Sequence, residues 1–296
     1  MFDTMEQPLA VVRRSGRSLT ITEANPAFIR MTGYEIDRLQ AIQIRQLFPK
    51  LYSNKQPALV HGIIETTLKP SFGSVKPITM EIKPLPCCDE DATGRTYYLI
   101  IAKDMSADKW LEQQSSVAKA LNIGICDHEY IVRKFHQNYS PLTGADHSPL
   151  HQSIFDFLDP NVHEMIREQL SNASIDSSSR EIVVRTVSFE DMSGLEMRAT
   201  ICPIFDGFGA IQEFAFSVWD LKEANDSGQP GMKLKIWMAK RDISTSQLSL
   251  STGISIQTIS KLRNGKITKP QRLTAELIAS ELRVEVSDIW SEVGRR

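Results

Sequence analysis

Cysteine is scarce in this chain: four among 296 residues, Cys87, Cys88, Cys126 and Cys202. Four cannot build a disulfide framework and none stands at a metal-binding spacing, so reduced thiols are expected. Cys126 and Cys202 fall in strand-like stretches and read as small core residues rather than redox switches. Cys87-Cys88 beside Asp89, Glu90 and Asp91 is the one weak metal pattern. Long apolar runs are missing too. The longest, Tyr97 to Ala102, is far below the roughly 18 residues that span a membrane, and the opening MFDTMEQP has neither a basic n-region nor an apolar core. A cytoplasmic protein without membrane contact is expected. Also lacking are a Gly-rich phosphate loop with a following Lys-Ser/Thr, a nucleophile elbow, and a kinase or phosphotransfer helix, so catalysis is not expected.

What is present is ordinary in bulk and uneven in place. Apolar residues make up 41% and charged residues 24%, as in a globular chain of two or three domains. From Met232 to Arg296 there are twelve Lys and Arg against six Asp and Glu. Removing these from the chain totals of 34 and 36 leaves 22 basic and 30 acidic groups in residues 1–231. A basic tail on an acidic body suits a polyanion that the tail approaches and the body avoids.

The tail also carries the most ordered pattern. Ser244 and Gln247 stand at capping-box spacing, and Ile243 with Leu248 forms a hydrophobic staple that Ile254 and Ile259 repeat around Ser255. Gly253 can take the positive φ that ends the first helix, and Asn264-Gly265 ends the second. The unit is helix, sharp turn, helix. Leu234, Trp237 and Met238 before it, and Leu273, Leu277 and Ile278 after it, extend the helical spacing to five short helices around one core. In the offsets Leu248, Gly253, Ile254, Ile259, Asn264-Gly265, Pro270, Leu273 and Ala279-x-x-Leu282, residues 233–290 resemble the Cro and phage-repressor type (XRE-like) of helix-turn-helix domain.

That resemblance implies that the helix from about Ile256 to Arg263 lies in a DNA major groove. The implied base readers are Gln257, Thr258, Ser260 and Lys261, with Ile256 limited to a thymine methyl. The implied phosphate contacts are Thr245, Arg263, Asn264, Lys266, Lys269 and Arg272. Many relatives pair an Arg in the first helix with a Glu just before the Asn-Gly. Met238 and Arg263 occupy those positions here, so both partners of the buried pair are gone together and Arg263 is expected to be free for phosphate.

Upstream, Leu9 to Val12 and Ser18 to Thr22 read as a hairpin, and Asn25 caps a helix with Pro26 at its first position and Gly33 at its end. Pro57 to Leu68 reads as an apolar helix. Alternation in Ile78 to Leu85 and Tyr97 to Ile101 gives two strands joined by the loop CCDEDATGR. No stretch between Lys69 and Val75 marks a middle strand. Asn25-Pro26-Ala27-Phe28, Gly33-Tyr34 and Lys103-Asp104-Met105-Ser106 resemble a PAS domain, a small antiparallel sheet with helices over a pocket.

The pattern then returns. Asn122 to His128 and Tyr130 to Phe135 read as a hairpin, Asn138 caps a short helix ending at Thr143-Gly144, and Asn161 to Asn172 reads as a helix. Strands come next near 181–189, 195–204 and 211–219, with Asp220 where Asp104 stood. This second stretch also resembles a PAS domain, and the duplication itself supports the reading. Between the two, Trp110, Leu111, Val117, Ala118 and Leu121 form one helical stripe, read either as a dimer seam or as a cover for its own sheet. The polar KEANDSGQPG reads as a flexible link of on the order of 18 Å root-mean-square. Two heads so tethered could reach half-sites roughly 34 Å apart.

The expected architecture is α+β: PAS-like units at 1–105 and 122–221, a linker helix at 106–121, a flexible link at 222–231 and an all-α five-helix head at 232–296. The expected function is sequence-specific DNA binding as a homodimer on a palindromic operator. The PAS-like units would sense a small ligand or mediate dimerisation. The alternative is a signalling adaptor whose helical tail docks proteins. The effector is not legible. A small organic ligand in the second unit is the default for an apolar pocket. Haem would need a helical histidine, for which His61 and His163 are the candidates, and no cysteine sits in the Asn-Cys-Arg setting of light-sensing relatives.

Overall fold

The computed structural model describes residues 2–16, 18–53, 56–57, 62–86, 96–117, 120–137, 148–171, 179–187, 194–224 and 229–291. In the first unit β1 (Leu9–Ser15) turns at Gly16 into β2 (Ser18–Ala24). Asn25 is fully buried and ties this hairpin to the first helix: its Oδ1 accepts from the backbone of Leu9 and of Phe28, each at 2.9 Å. It thereby caps α1 (Pro26–Thr32), which ends at Gly33 with φ 73°. Next come two short helices, α2 (Ile36–Ala41) and α3 (Ile44–Leu47), and the brief pair β3 (Tyr52–Ser53) and β4 (Gln56–Pro57).

Three longer strands then complete an antiparallel sheet, β5 (Gly62–Leu68), β6 (Lys76–Leu85) and β7 (Thr96–Asp104), in the order β2-β1-β7-β6-β5. Phe28, Leu39, Phe48, Ile82 and Ile100 are buried in its core. The helix expected over Pro57 to Leu68 is corrected by β5, which is also the middle strand missed between Lys69 and Val75. Ile63, Ile64, Thr66 and Thr67 are β-branched, lose side-chain freedom in a helix and suit a pleated surface. Each finds a partner on β6, from Ile63 opposite Glu81 to Thr67 opposite Pro77. At the end of β7, Asp104 pairs with Lys76 at 2.7 Å and accepts the Ser106 backbone N–H at 2.8 Å, starting α4 (Ser106–Val117).

The second unit repeats the plan. β8 (Asn122–Asp127) and β9 (Val132–Gln137) form its hairpin, α5 (Pro160–Ser171) crosses over, and β10 (Arg180–Arg185), β11 (Leu195–Phe205) and β12 (Ile211–Glu223) close the sheet. The order β10-β11-β12-β8-β9 is the first sheet's order read from the other edge. Two units with one topology confirm the duplication seen in sequence. The loop at 87–95 and the short helix expected after Asn138 lie outside the described residues.

The tail folds as α6 (Pro230–Arg241), α7 (Thr245–Thr252), α8 (Ile256–Arg263), α9 (Arg272–Leu282) and α10 (Val286–Ile289). Their shared core holds Leu234, Leu248, Ile259, Ile278, Leu282 and Trp290. Leu273 and Leu277, expected inward, are 66% and 39% exposed. In α9 the inward stripe is Ala275, Ile278, Ala279 and Leu282, whose i, i+3, i+4, i+7 spacing faces one side while Leu273 and Leu277 fall off it.

The ends of the expected flexible link are ordered. Lys222 and Glu223 complete β12, and Pro230 and Gly231 open α6; residues 225–228 lie outside the described set. Nor is α6 held by the head alone. Met232, Ile236 and Ala239 cluster with Leu121, Leu195 and Leu221 of the second unit, with Met197 packed against them. Lys240 at its far end pairs with Asp220 of β12 at 2.6 Å.

Candidate functional site

The local sequence fixes how α8 is presented. The Ser244 capping box is complete, with the Gln247 backbone donating to Ser244 Oγ at 3.2 Å and Gln247 Oε1 accepting from the Ser244 backbone at 2.8 Å. Gly253, at φ 71°, turns the chain, and Ser255 Oγ accepts the Thr258 backbone N–H at 3.2 Å to start α8. The caps take up donors that would otherwise be orphaned at both helix starts. Ile259 and Leu262 are buried, so the turn-and-a-bit of α8 opposite them faces outward.

On that outward face Gln257 and Lys261 are exposed, four residues apart and therefore stacked on one stripe, with Ile256 also half open at 51%. Thr258 and Ser260 are half-buried at the edge, and the Thr258 hydroxyl is 2.9 Å from Ser255 Oγ within the cap. Asn264, Lys266, Lys269 and Arg272 are exposed on the segment leaving α8. The Arg272 guanidinium is paired with Glu276 one turn along at 2.7 Å, and that hydrogen bond raises its pKa further.

Arg263 departs from expectation. It is half-buried, and its Nη1 donates to Thr245 Oγ1 at 2.6 Å, which ties the end of α8 to the start of α7. Its buried Nε has no hydrogen-bond partner among the described residues. Burial lowers its pKa, and burial together with the Arg263 charge lowers that of Lys235 beside it. Arg263 lines a recess with Lys235 and Met238 instead of standing free on the outward face of α8.

The second unit encloses a cavity of about 210 Å³ between its sheet and α5. Ile166, Ala199 and Phe216 typify its apolar wall, and Asn122, Tyr130 and Gln137 bring polar groups; among the described residues lining it none is charged. Tyr130 holds a left-handed backbone, φ 66°, unusual for an aromatic residue. Its ring is fixed by stacking on Phe214 at 5.4 Å and by an edge contact to Phe155 at 4.9 Å. Cys126 also faces the cavity, and burial, with a smaller contribution from Asp127, pushes its thiol up to about 12. His163, a haem candidate, is not in the cavity wall. Its Nε2 lies 2.9 Å from the Leu158 carbonyl and its ring rests 4.9 Å from Phe155, so it is engaged by its own helix start. His61 lies outside the described residues, and among those described no cluster of three metal-binding side chains occurs.

Comparison with known proteins adds two family matches. One, a Cro/C1-type helix-turn-helix DNA-binding domain, covers residues 233–291, and the other, a PAS domain, covers residues 1–65. The chain joins a PAS domain to a Cro/C1-type helix-turn-helix DNA-binding domain. That combination matches a PAS-containing, XRE-like regulator, with a DNA-binding domain and a sensory domain upstream. No curated protein matches.

Solved structures similar to parts of this regulator include the PAS domain of an HTR-like protein from Haloarcula marismortui, at 16% identity over 35% of this chain and 90% of that one, TM-score 0.28. The LOV domain of a blue-light activated histidine kinase from Erythrobacter litoralis is 19% identical over 34% and 98%, TM-score 0.28. VqmA bound to DPO is 15% identical over 62% and 85%, also at TM-score 0.28.

Sequence reasoning marked the two helices and the turn between them, and missed two features. The cavity-facing Tyr130 is announced only by the Asp127-His128-Glu129 turn before it, in which Asp127 Oδ1 accepts from Glu129 and Ile131. The other is the second apolar stripe of α6, Met232, Ile236 and Ala239, which packs on the second unit.

Proposed function

We propose that the protein is a cytoplasmic, sequence-specific transcription regulator that binds a palindromic operator as a homodimer through α8, with the PAS-like units and α4 forming the dimer. The observation that supports it most is the exposed Gln257–Lys261 stripe on a helix whose opposite face, Ile259 and Leu262, is locked in the core. Gln pairs with adenine in two places and Lys reaches the guanine acceptors. Thr258 and Ser260 offer hydroxyls at the edge, and Ile256 a methyl contact. Asn264, Lys266 and Lys269 are the phosphate contacts that set register, with Thr245, Arg263 and Arg272 in supporting positions: Arg263 is bonded to Thr245, and Arg272 to Glu276.

Selection of the full chain on random duplex DNA tests this. The expected product is two half-sites related by a two-fold axis, about 34 Å from centre to centre. Gln257→Ala and Lys261→Ala should each relax preference at particular base pairs, at about 1–3 kcal/mol, while Lys266→Ala should weaken all sequences alike. Equal loss on every sequence from all three variants would remove the base-reading role.

A second reading keeps the head and makes the PAS-like units closed dimerisation blocks. The open cavity in the second unit favours sensing over it.

A further inference from the structure

Leu195 and Met197 have two roles in the fold. Both line the cavity of the second unit, and both belong to the apolar cluster in which Met232, Ile236 and Ala239 of α6 are seated. α6 in turn lies hard against the end of the reading helix. A Cβ placed on Gly231 would meet the Arg263 carbonyl oxygen at 2.9 Å, and Gly265 N and the Leu262 carbonyl oxygen at 3.0 Å. Leu195 and Met197 thus link the cavity to α6, and α6 links them to the end of α8.

The cavity sets what can enter. An engineered apolar cavity of roughly 150 Å³ accepts benzene, so 210 Å³ takes one substituted ring. With no charged side chain among the described residues of the wall, a carboxylate or ammonium would meet no counter-ion there, which is strongly unfavourable. Tyr130, Asn122 and Gln137 can hydrogen-bond one polar substituent.

We infer that the second unit binds a neutral, single-ring molecule, and that its presence against Leu195 and Met197 changes how firmly α6 is seated and hence how α8 meets DNA. This rests on the DNA-binding reading above and adds the ligand class and the route of control. The ligand acts only through unequal affinity for the seated and unseated head.

The test uses the full chain with benzyl alcohol as the neutral probe and benzoate as its charged counterpart. Benzyl alcohol should raise Tm, slow or speed hydrogen exchange at the backbone amides of residues 232–239, and shift the DNA dissociation constant roughly fivefold or more. Benzoate should do none of these. Ala199→Leu, which fills the cavity, should abolish the response to benzyl alcohol. Failure of both probes to raise Tm, an equal response to both, or a response that survives in a folded Ala199→Leu variant overturns the ligand class. A Tm gain with unchanged exchange in α6 and unchanged DNA affinity overturns the route. In each of these outcomes sequence-selective DNA binding stays intact. Loss of selectivity in the untreated chain instead removes the DNA-binding reading on which the inference stands.

Discussion

At the scale of single residues, exposure on α8 is decided by its neighbours. Ile259 and Leu262 must be buried for the head to have a core, and the helical period then puts Gln257 and Lys261 outside. That much is legible from spacing alone. Arg263 was not, because its place depends on Thr245 and Met238, which belong to other helices. Cys126 and Cys202 were legible as core residues, and burial sets their chemistry. It pushes their thiols up to about 12 and about 11 from an ordinary 9.0. The three units at Cys126 make its thiolate about 1000-fold scarcer than a free thiol's at pH 8, so iodoacetamide labelling read by mass spectrometry should be slowed in proportion. The folded chain holds both protons more tightly than the unfolded chain. Stability from these groups is full below about pH 9 and is lost as pH rises toward 12. Tm should accordingly fall across that alkaline window, and less so in Cys126→Ala. Labelling of native Cys126 at the free-thiol rate would contradict its burial.

At the scale of elements, the helix starts of the head were readable because caps are local. Ser244, Gln247 and Ser255 act within three residues of themselves, and the structure has each bond that their spacing called for. β5 was not readable in the same way. Its apolar run satisfies helix and strand periods alike over seven residues, and pairing with β6 across a stretch of chain decides the matter. α6 shows the same limit from the opposite side: one stripe, Leu234 and Met238, announced the head, while the other packs on Leu121, Leu195 and Leu221 of separate segments. Its close approach to α8 gives a direct check. Helix propensity alone would favour Gly231→Ala by about 1 kcal/mol. The contact of the new Cβ with the α8 backbone should reverse the sign, to a loss of roughly 1–3 kcal/mol, since backbone cannot step aside as a side chain can. A lower Tm for Gly231→Ala, with weaker DNA binding, is the expected result, and an unchanged or higher Tm would mean that the two helices are not so closely opposed.

At the scale of the whole molecule, the duplication was visible in sequence as a returning order of motifs, and both sheets have one strand order. The tie between the second sheet and the head was hidden, since KEANDSGQPG reads as polar and loose although both of its ends belong to ordered elements. Charge is divided as the reading requires, with twelve basic and six acidic groups from Met232 onward and an excess of acid before it. Lys261, Lys266 and Lys269 in each of two heads would displace the counter-ions of about six phosphates, so affinity should fall as roughly the fifth power of salt concentration. The decisive measurement is therefore the binding of the full chain to its selected duplex and to a scrambled one across a salt series. The account predicts that steep fall on both duplexes, with the selected one bound at least about 1000-fold more tightly at every salt concentration. Binding that ignores salt, or that treats the two duplexes alike, would contradict it.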